Sequence, residues 1–125
     1  MWNSRVVEAN SARLIPWSAC AAGIATLEAL SDGQIIASAA RNGDALAARL
    51  RETAPAGLRE VRQIGLMIGI QVRTTARPYL AALQERGILA LTAGKNVVRL
   101  LPPLVISEID LKTVGDALIE VLAEV

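Results

Sequence analysis

Between Gly65 and Val72 the residues Leu66, Ile68, Ile70 and Val72 alternate with Met67, Gly69 and Gln71. Successive side chains of a strand point to opposite faces, so this stretch predicts a β-strand with one continuous aliphatic face. Such a face needs a cover, and the flanking sequence changes to the helical period that supplies one. Upstream, Gln34 to Thr53 places Ile35, Ala39, Leu46 and Leu50 on one stripe, with Arg41, Asp44, Arg51 and Glu52 toward water, until Pro55 and Gly57 stop it. Ser18 can cap an earlier helix to about Leu30, with Cys20, Ile24 and Leu27 on one face, and Ser31-Asp32-Gly33 breaks the two apart. Pro16 and Glu28 punctuate the apolar stretch Leu14–Leu30, which is also short for a membrane span. We read it as a buried helix rather than a signal peptide.

Arg59 to Ile64 reads as a short strand before the alternating one. Within the alternating strand, Gly69 marks a bulge or a close backbone approach, with tight helix-on-sheet packing the plainer explanation. Thr74 and Thr75 lead into a short helix with Pro78 in its first turn and Gly87 at its end. Ile88–Leu91 and Val97–Leu101 read as a hairpin closed by Thr92-Ala93-Gly94-Lys95-Asn96. Ser107 caps the last helix, with Asp110 three residues on, Ile106 and Leu111 placed for a hydrophobic staple, and Leu111, Val114, Leu118 and Val121 as its inward stripe. The order α, α, β, β, α, β, β, α predicts an α/β (α+β) domain: a small antiparallel or mixed sheet with helices packed on one face.

Composition narrows the chemistry. The chain has 125 residues, of which 53% are hydrophobic, within the globular range. It contains no Phe, so the core is aliphatic, and the aromatics are Trp2, Trp17 and Tyr79. A net charge of +1 and so few stacking rings argue against nucleic-acid and anionic-membrane partners. Histidine is absent and Cys20 is the single cysteine. That removes any intramolecular disulfide, a Cys/His zinc site, and a Cys–His or Ser–His nucleophile pair.

Arg99 is the strongest candidate for function. It lies in Val97-Val98-Arg99-Leu100-Leu101, on the strand face shared by Val97 and Leu101. A guanidinium there must reach water or an anion, and its fork suits a carboxylate bound by two parallel hydrogen bonds. The alternatives are an ion pair with Glu60 or Glu85, or an edge-strand arginine whose head reaches water; from the strand alone these are favoured. Lys95, in a Gly-containing turn, and Lys112, early in a capped helix, read as solvated and unsuited to Schiff-base chemistry. Gly65 and Gly69 lack the spacing of a phosphate loop, and Cys20 reads as a small core residue.

Three ordered blocks resemble the C-terminal part of class III aminotransferases, pyridoxal-phosphate enzymes of fold type I. They are Ser18-Ala19-Cys20-Ala21-Ala22-Gly23-Ile24-Ala25-Thr26-Leu27-Glu28, Ile64-Gly65-Leu66-Met67-Ile68-Gly69-Ile70, and Gly94-Lys95-Asn96-Val97-Val98-Arg99-Leu100-Leu101-Pro102-Pro103-Leu104. The acetylornithine branch is the most similar. The resemblance covers about residues 18–125 and implies the small domain that packs against a large cofactor domain. It makes Arg99 the clamp for the substrate carboxylate, reversing the preference drawn from the strand alone. It implies amino-acid and 2-oxo-acid substrates, a homodimer, a cytoplasmic setting and a place in arginine biosynthesis for the intact enzyme. The family's Schiff-base lysine, phosphate loop and pyridine-nitrogen aspartate have no counterparts in this sequence. Residues 1–17 match poorly, with only Pro16 resembling the family's segment there. The expectation is therefore a piece of a transaminase that binds no pyridoxal phosphate and is inactive alone. A non-enzymatic carboxylate-binding module and one half of a split enzyme are the alternatives.

Overall fold

The alternating stretch forms β2 (Met67–Val72), a central strand in a computed structural model that describes residues 17–124. Around it stand α1 (Trp17–Ser31), α2 (Gln34–Thr53), β1 (Leu58–Ile64), α3 (Ala76–Glu85), β3 (Leu91–Thr92), β4 (Val97–Leu100) and α4 (Glu108–Glu124). Element order and fold class agree with the sequence reading. The readings made on Met1–Pro16 lie outside the described residues.

The chain divides into two compact units, one reaching to Gln34 and one from Ile35 onward. In the first, α1 is a helix as expected, and Asp32 Oδ1 accepts from the Gln34 N–H at 2.9 Å where the next helix starts. The expectation that α1 is buried is not met. None of its residues is buried, Cys20 is exposed, and Ile24 and Leu27 are open to solvent. The physical reason lies in its sequence: it is apolar nearly all round, so the spacing of Cys20, Ile24 and Leu27 selects no inward face.

In the second unit the sheet is antiparallel throughout, in the order β1-β2-β4-β3. Leu66, Ile68, Ile70 and Val72 are all buried, together with Val98 and Leu100 of β4. Against them lie Leu46, Ala47 and Leu50 of α2, Tyr79 and Leu83 of α3, and Leu118, Val121 and Leu122 of α4. Each such large aliphatic side chain contributes about 2 kcal/mol on leaving water. In β1 the core residues are Leu58 and Val61, three apart rather than two. The register shifts between Leu58 and Glu60, so Arg59 is the extra residue of a bulge and Val61 returns to the core face.

Several boundaries differ from expectation. Gly65 and Leu66 form the β1–β2 turn rather than the start of β2, with Gly65 at φ 54° and Ile64 paired to Met67. The strand expected over Ile88–Leu91 shrinks to Leu91–Thr92, because the end of α3 takes the Ile88 amide. Ile88 N–H donates to the Leu83 carbonyl at 2.9 Å and Gly87 N–H to that of Gln84 at 2.9 Å, with Gly87 at φ 77°. β4 ends at Leu100, one residue before the expected boundary. The cap of α4 forms as read: the Asp110 N–H donates to Ser107 Oγ at 3.0 Å, and that hydroxyl donates to Asp110 Oδ2 at 2.7 Å.

Gly57 joins α2 to β1 where α3 and α4 converge. Its N–H donates to the Leu122 carbonyl at 2.7 Å, and a Cβ built on it would stand 2.6 Å from that oxygen and 2.8 Å from the Tyr79 hydroxyl oxygen. Gly57→Ala should therefore cost about 1–3 kcal/mol, read as a lower urea midpoint at unchanged m-value. An unchanged midpoint would show that this corner yields freely.

Candidate functional site

α2, α3 and α4 cover one face of the sheet, and the side chains of the other face form the candidate site. Pleat alternation sends Val98 and Leu100 into the core and Val97 and Arg99 outward. The register sets Arg99 of β4 opposite Gly69 of β2 on one side and Leu91 of β3 on the other. Arg62 of β1 stands across from Gly69, so one row of the sheet reads Arg62, Gly69, Arg99, Leu91. Met67, Leu91 and Leu101 lie exposed around it.

Both sequence-level alternatives for Arg99 fail on this geometry. β4 lies between β2 and β3, so Arg99 is not on an edge strand. Among the described residues it forms no ion pair; Glu60 approaches Arg62 instead, at 3.6 Å. Arg99 is half-buried, and its Nε is closed off from solvent without a hydrogen-bond partner among the described residues. A buried donor left unmade costs about 1–3 kcal/mol. An anion lying against the guanidinium would offset that cost and accept two hydrogen bonds at once.

Gly69 takes on a different meaning from the one expected. It faces away from the helices, so helix-on-sheet packing does not explain it, and the register runs through it without a bulge. A Cβ there would make only ordinary contacts, 3.7 Å from Val97 Cγ1 and 3.8 Å from the Arg62 carbonyl oxygen. Its effect is to leave the floor beside Arg99 bare of side chain. The signal in the sequence was correct as to position, and only the pairing shows that its neighbour is Arg99.

Lys95 lies in the β3–β4 loop and Lys112 on α4, both exposed. Lys112 belongs to a helix of the covered face, and Lys95 precedes the first residue of β4. Among the described residues no cluster of His, Cys, Asp and Glu could hold a metal ion, and no helix is long and apolar enough to cross a membrane.

The profile of the family described as Aminotransferase class-III matches residues 16–122. Ornithine aminotransferase from Bacillus cereus (strain Q1) is 42% identical over 94 residues, covering 75% of this chain and 24% of the relative. Acetylornithine aminotransferase from Methanothermobacter thermautotrophicus is 38% identical over 112 residues, covering 87% and 28%. The crystal structure of acetylornithine aminotransferase from Elizabethkingia anophelis superposes with a TM-score of 0.77 at 27% identity, over 86% of this chain and 28% of that one. The chain thus spans about a quarter of the length of these relatives.

Proposed function

We propose a function on one premise: this chain belongs to the aminotransferase class-III family. On our reading it forms the small-domain wall of a transaminase site, and Arg99 holds the carboxylate of the amino-acid or 2-oxo-acid substrate. The observation that carries the reading is the buried, unpartnered Nε of Arg99 on the open sheet face. The guanidinium fixes the substrate's carboxylate end, Gly69 leaves room for it, and the margin of Met67, Leu91 and Leu101 excludes water once covered.

The donor is an ω-amino compound of the acetylornithine or ornithine kind, by similarity to the relatives named above, and the acceptor is 2-oxoglutarate, as the family resemblance implies. Pyridoxal phosphate is the family's cofactor, and the residues of this chain do not fit it. Its Schiff base needs a lysine in a desolvated pocket, whereas Lys95 and Lys112 are both exposed. The reading therefore assigns positioning to this chain and the cofactor chemistry to a large domain in the same or a complementary polypeptide. Residues 18–125 make up the small domain, and residues 1–17 are an atypical segment outside the family fold. The complete assembly is a cytoplasmic homodimer serving arginine biosynthesis, on the same reading.

The test is direct. The 125-residue chain, incubated with equimolar pyridoxal phosphate and reduced with borohydride, should show no stoichiometric pyridoxyl label on peptide mapping, and no ornithine-dependent glutamate formation. Stoichiometric labelling of Lys95 or Lys112, or turnover by the chain alone, would overturn it. A second reading, a carboxylate-binding module without catalysis, rests on the same guanidinium. Saturable binding of 2-oxoglutarate by the chain alone, lost in Arg99→Ala, would favour that one.

A further inference from the structure

β1 is an edge strand, and its neighbours show which of its backbone groups face outward. The Val72 N–H donates to the Asn96 carbonyl on the β4 side at 2.8 Å, and the Arg73 N–H to the Gly57 carbonyl on the β1 side at 3.1 Å. Backbone groups alternate along a strand, so Gly69 and Gln71 turn theirs to β1, and Ile68 and Ile70 theirs to β4. Gly69 pairs with Arg62 and Ile70 with Val61, so Arg62 bonds to β2 while Val61 and Gln63 point their N–H and C=O groups to the free edge. An unpaired row of this kind is a template for another strand. One group of the row is already taken: the Val61 carbonyl accepts from Arg51 Nη2 at 3.0 Å, from the last turn of α2. The Val61 N–H and both backbone groups of Gln63 have no partner among the described residues.

We propose that the outer edge of β1 is a self-pairing surface for a second copy of this chain, and that Arg51 holds it closed. The partner follows from the side chains that flank Val61. Glu60 and Arg62 lie on the open face, both exposed and joined only by a loose contact of 3.6 Å. A second β1 laid antiparallel about a two-fold axis at Val61 exchanges both backbone hydrogen bonds between the two Val61 residues. The same axis sets Glu60 of each copy across from Arg62 of the other, two opposite-charge pairs in one ladder. An axis one residue on, at Arg62, sets that guanidinium against its own copy, which like-charge repulsion disfavours. The bulge at Arg59 ends the ladder after a few residues, so the pairing is weak and reversible. The guanidinium of Arg51 sits on the one acceptor that this pairing needs from each copy, and the edge opens only when that side chain withdraws. The surface is independent of Arg99, which lies on an inner strand.

The test is amide hydrogen exchange and sedimentation of the full chain carrying Arg51→Met, a change at an exposed position that keeps the stem and the helix propensity. On raising the variant to about 1 mM, its mass should climb toward that of a dimer and exchange at the Val61 amide should slow severalfold. The Arg62 amide, already bonded to β2, should not change, and the parent chain should show no concentration dependence at Val61. Adding Glu60→Arg should abolish the slowing, and adding Arg62→Glu to that variant should restore it by exchanging the two charges. A Val61 amide that exchanges in the variant as in the parent chain would overturn the proposal, whether or not the variant associates by another surface. So would slowing that survives Glu60→Arg, or a parent chain that already shows it.

Discussion

Gly43→Ala should lower the urea midpoint of the chain more than substitution at any of its solvent-facing helix positions. Gly43 sits mid-helix in α2, where alanine would ordinarily gain about 1 kcal/mol in helix propensity. Here its Cβ would overlap the carbonyl of Gly65, the first residue of the two-residue β1–β2 turn. That turn is backbone, held at φ 54° and clamped by the Ile64–Met67 pair, so it has no flexible end to retreat. Relieving the overlap requires α2 to move off the sheet, carrying Leu46, Ala47 and Leu50 with it. Such overpacking costs about 3 kcal/mol or more, which exceeds the propensity gain and leaves a net loss of about 2 kcal/mol or more. Gly23→Ala in α1 is the control, since a Cβ there meets nothing within 4 Å and should leave the midpoint level or slightly raised. A Gly43→Ala midpoint equal to that of the parent chain would show that α2 does not rest on the turn.

Arg99→Met should move stability and carboxylate affinity in opposite directions. The aliphatic stem is kept and the unpartnered Nε is removed, so the isolated chain gains about 1 kcal/mol. On the proposed function, the same change removes the charge-assisted fork that holds the substrate, and any saturable binding of 2-oxoglutarate disappears. Urea unfolding reads the first effect and calorimetric titration the second. A loss of stability would mean that the guanidinium has a partner in the folded chain, and the argument for an open carboxylate site would fail with it. A group that costs stability where it stands is the pattern expected of a residue kept for binding rather than for folding.

How far the sequence could be read depended on whether local periodicity was enough. The face of Ile68, Ile70 and Val72 was legible because the pleat has a period of two regardless of context. The stripe of α4 and the Ser107 cap were legible for the same kind of reason. The burial of α1 was not, because helical spacing on an all-round apolar segment names no face. Nor were the shortening of β3, where the Ile88 amide serves the end of α3, and the bulge at Arg59. Gly43 gave a weak sign, a glycine inside a helical period, but nothing in the sequence said that it rests on Gly65.

By itself, then, the sequence determined the element order, the aliphatic core, the absence of histidine chemistry, and Arg99 as a charge in an apolar strand on the face of Val97 and Leu101. These follow from residue type and from backbone periods that each element imposes locally. Only the tertiary structure decided that β4 is an inner strand, that Gly69 lies beside Arg99, and that Arg99 Nε is buried without a partner among the described residues. It alone turned the Val61 carbonyl to the free edge of β1 and set Arg51 on it. Strand order, register and helix packing are settled by which distant surfaces fit together, and no local period encodes that.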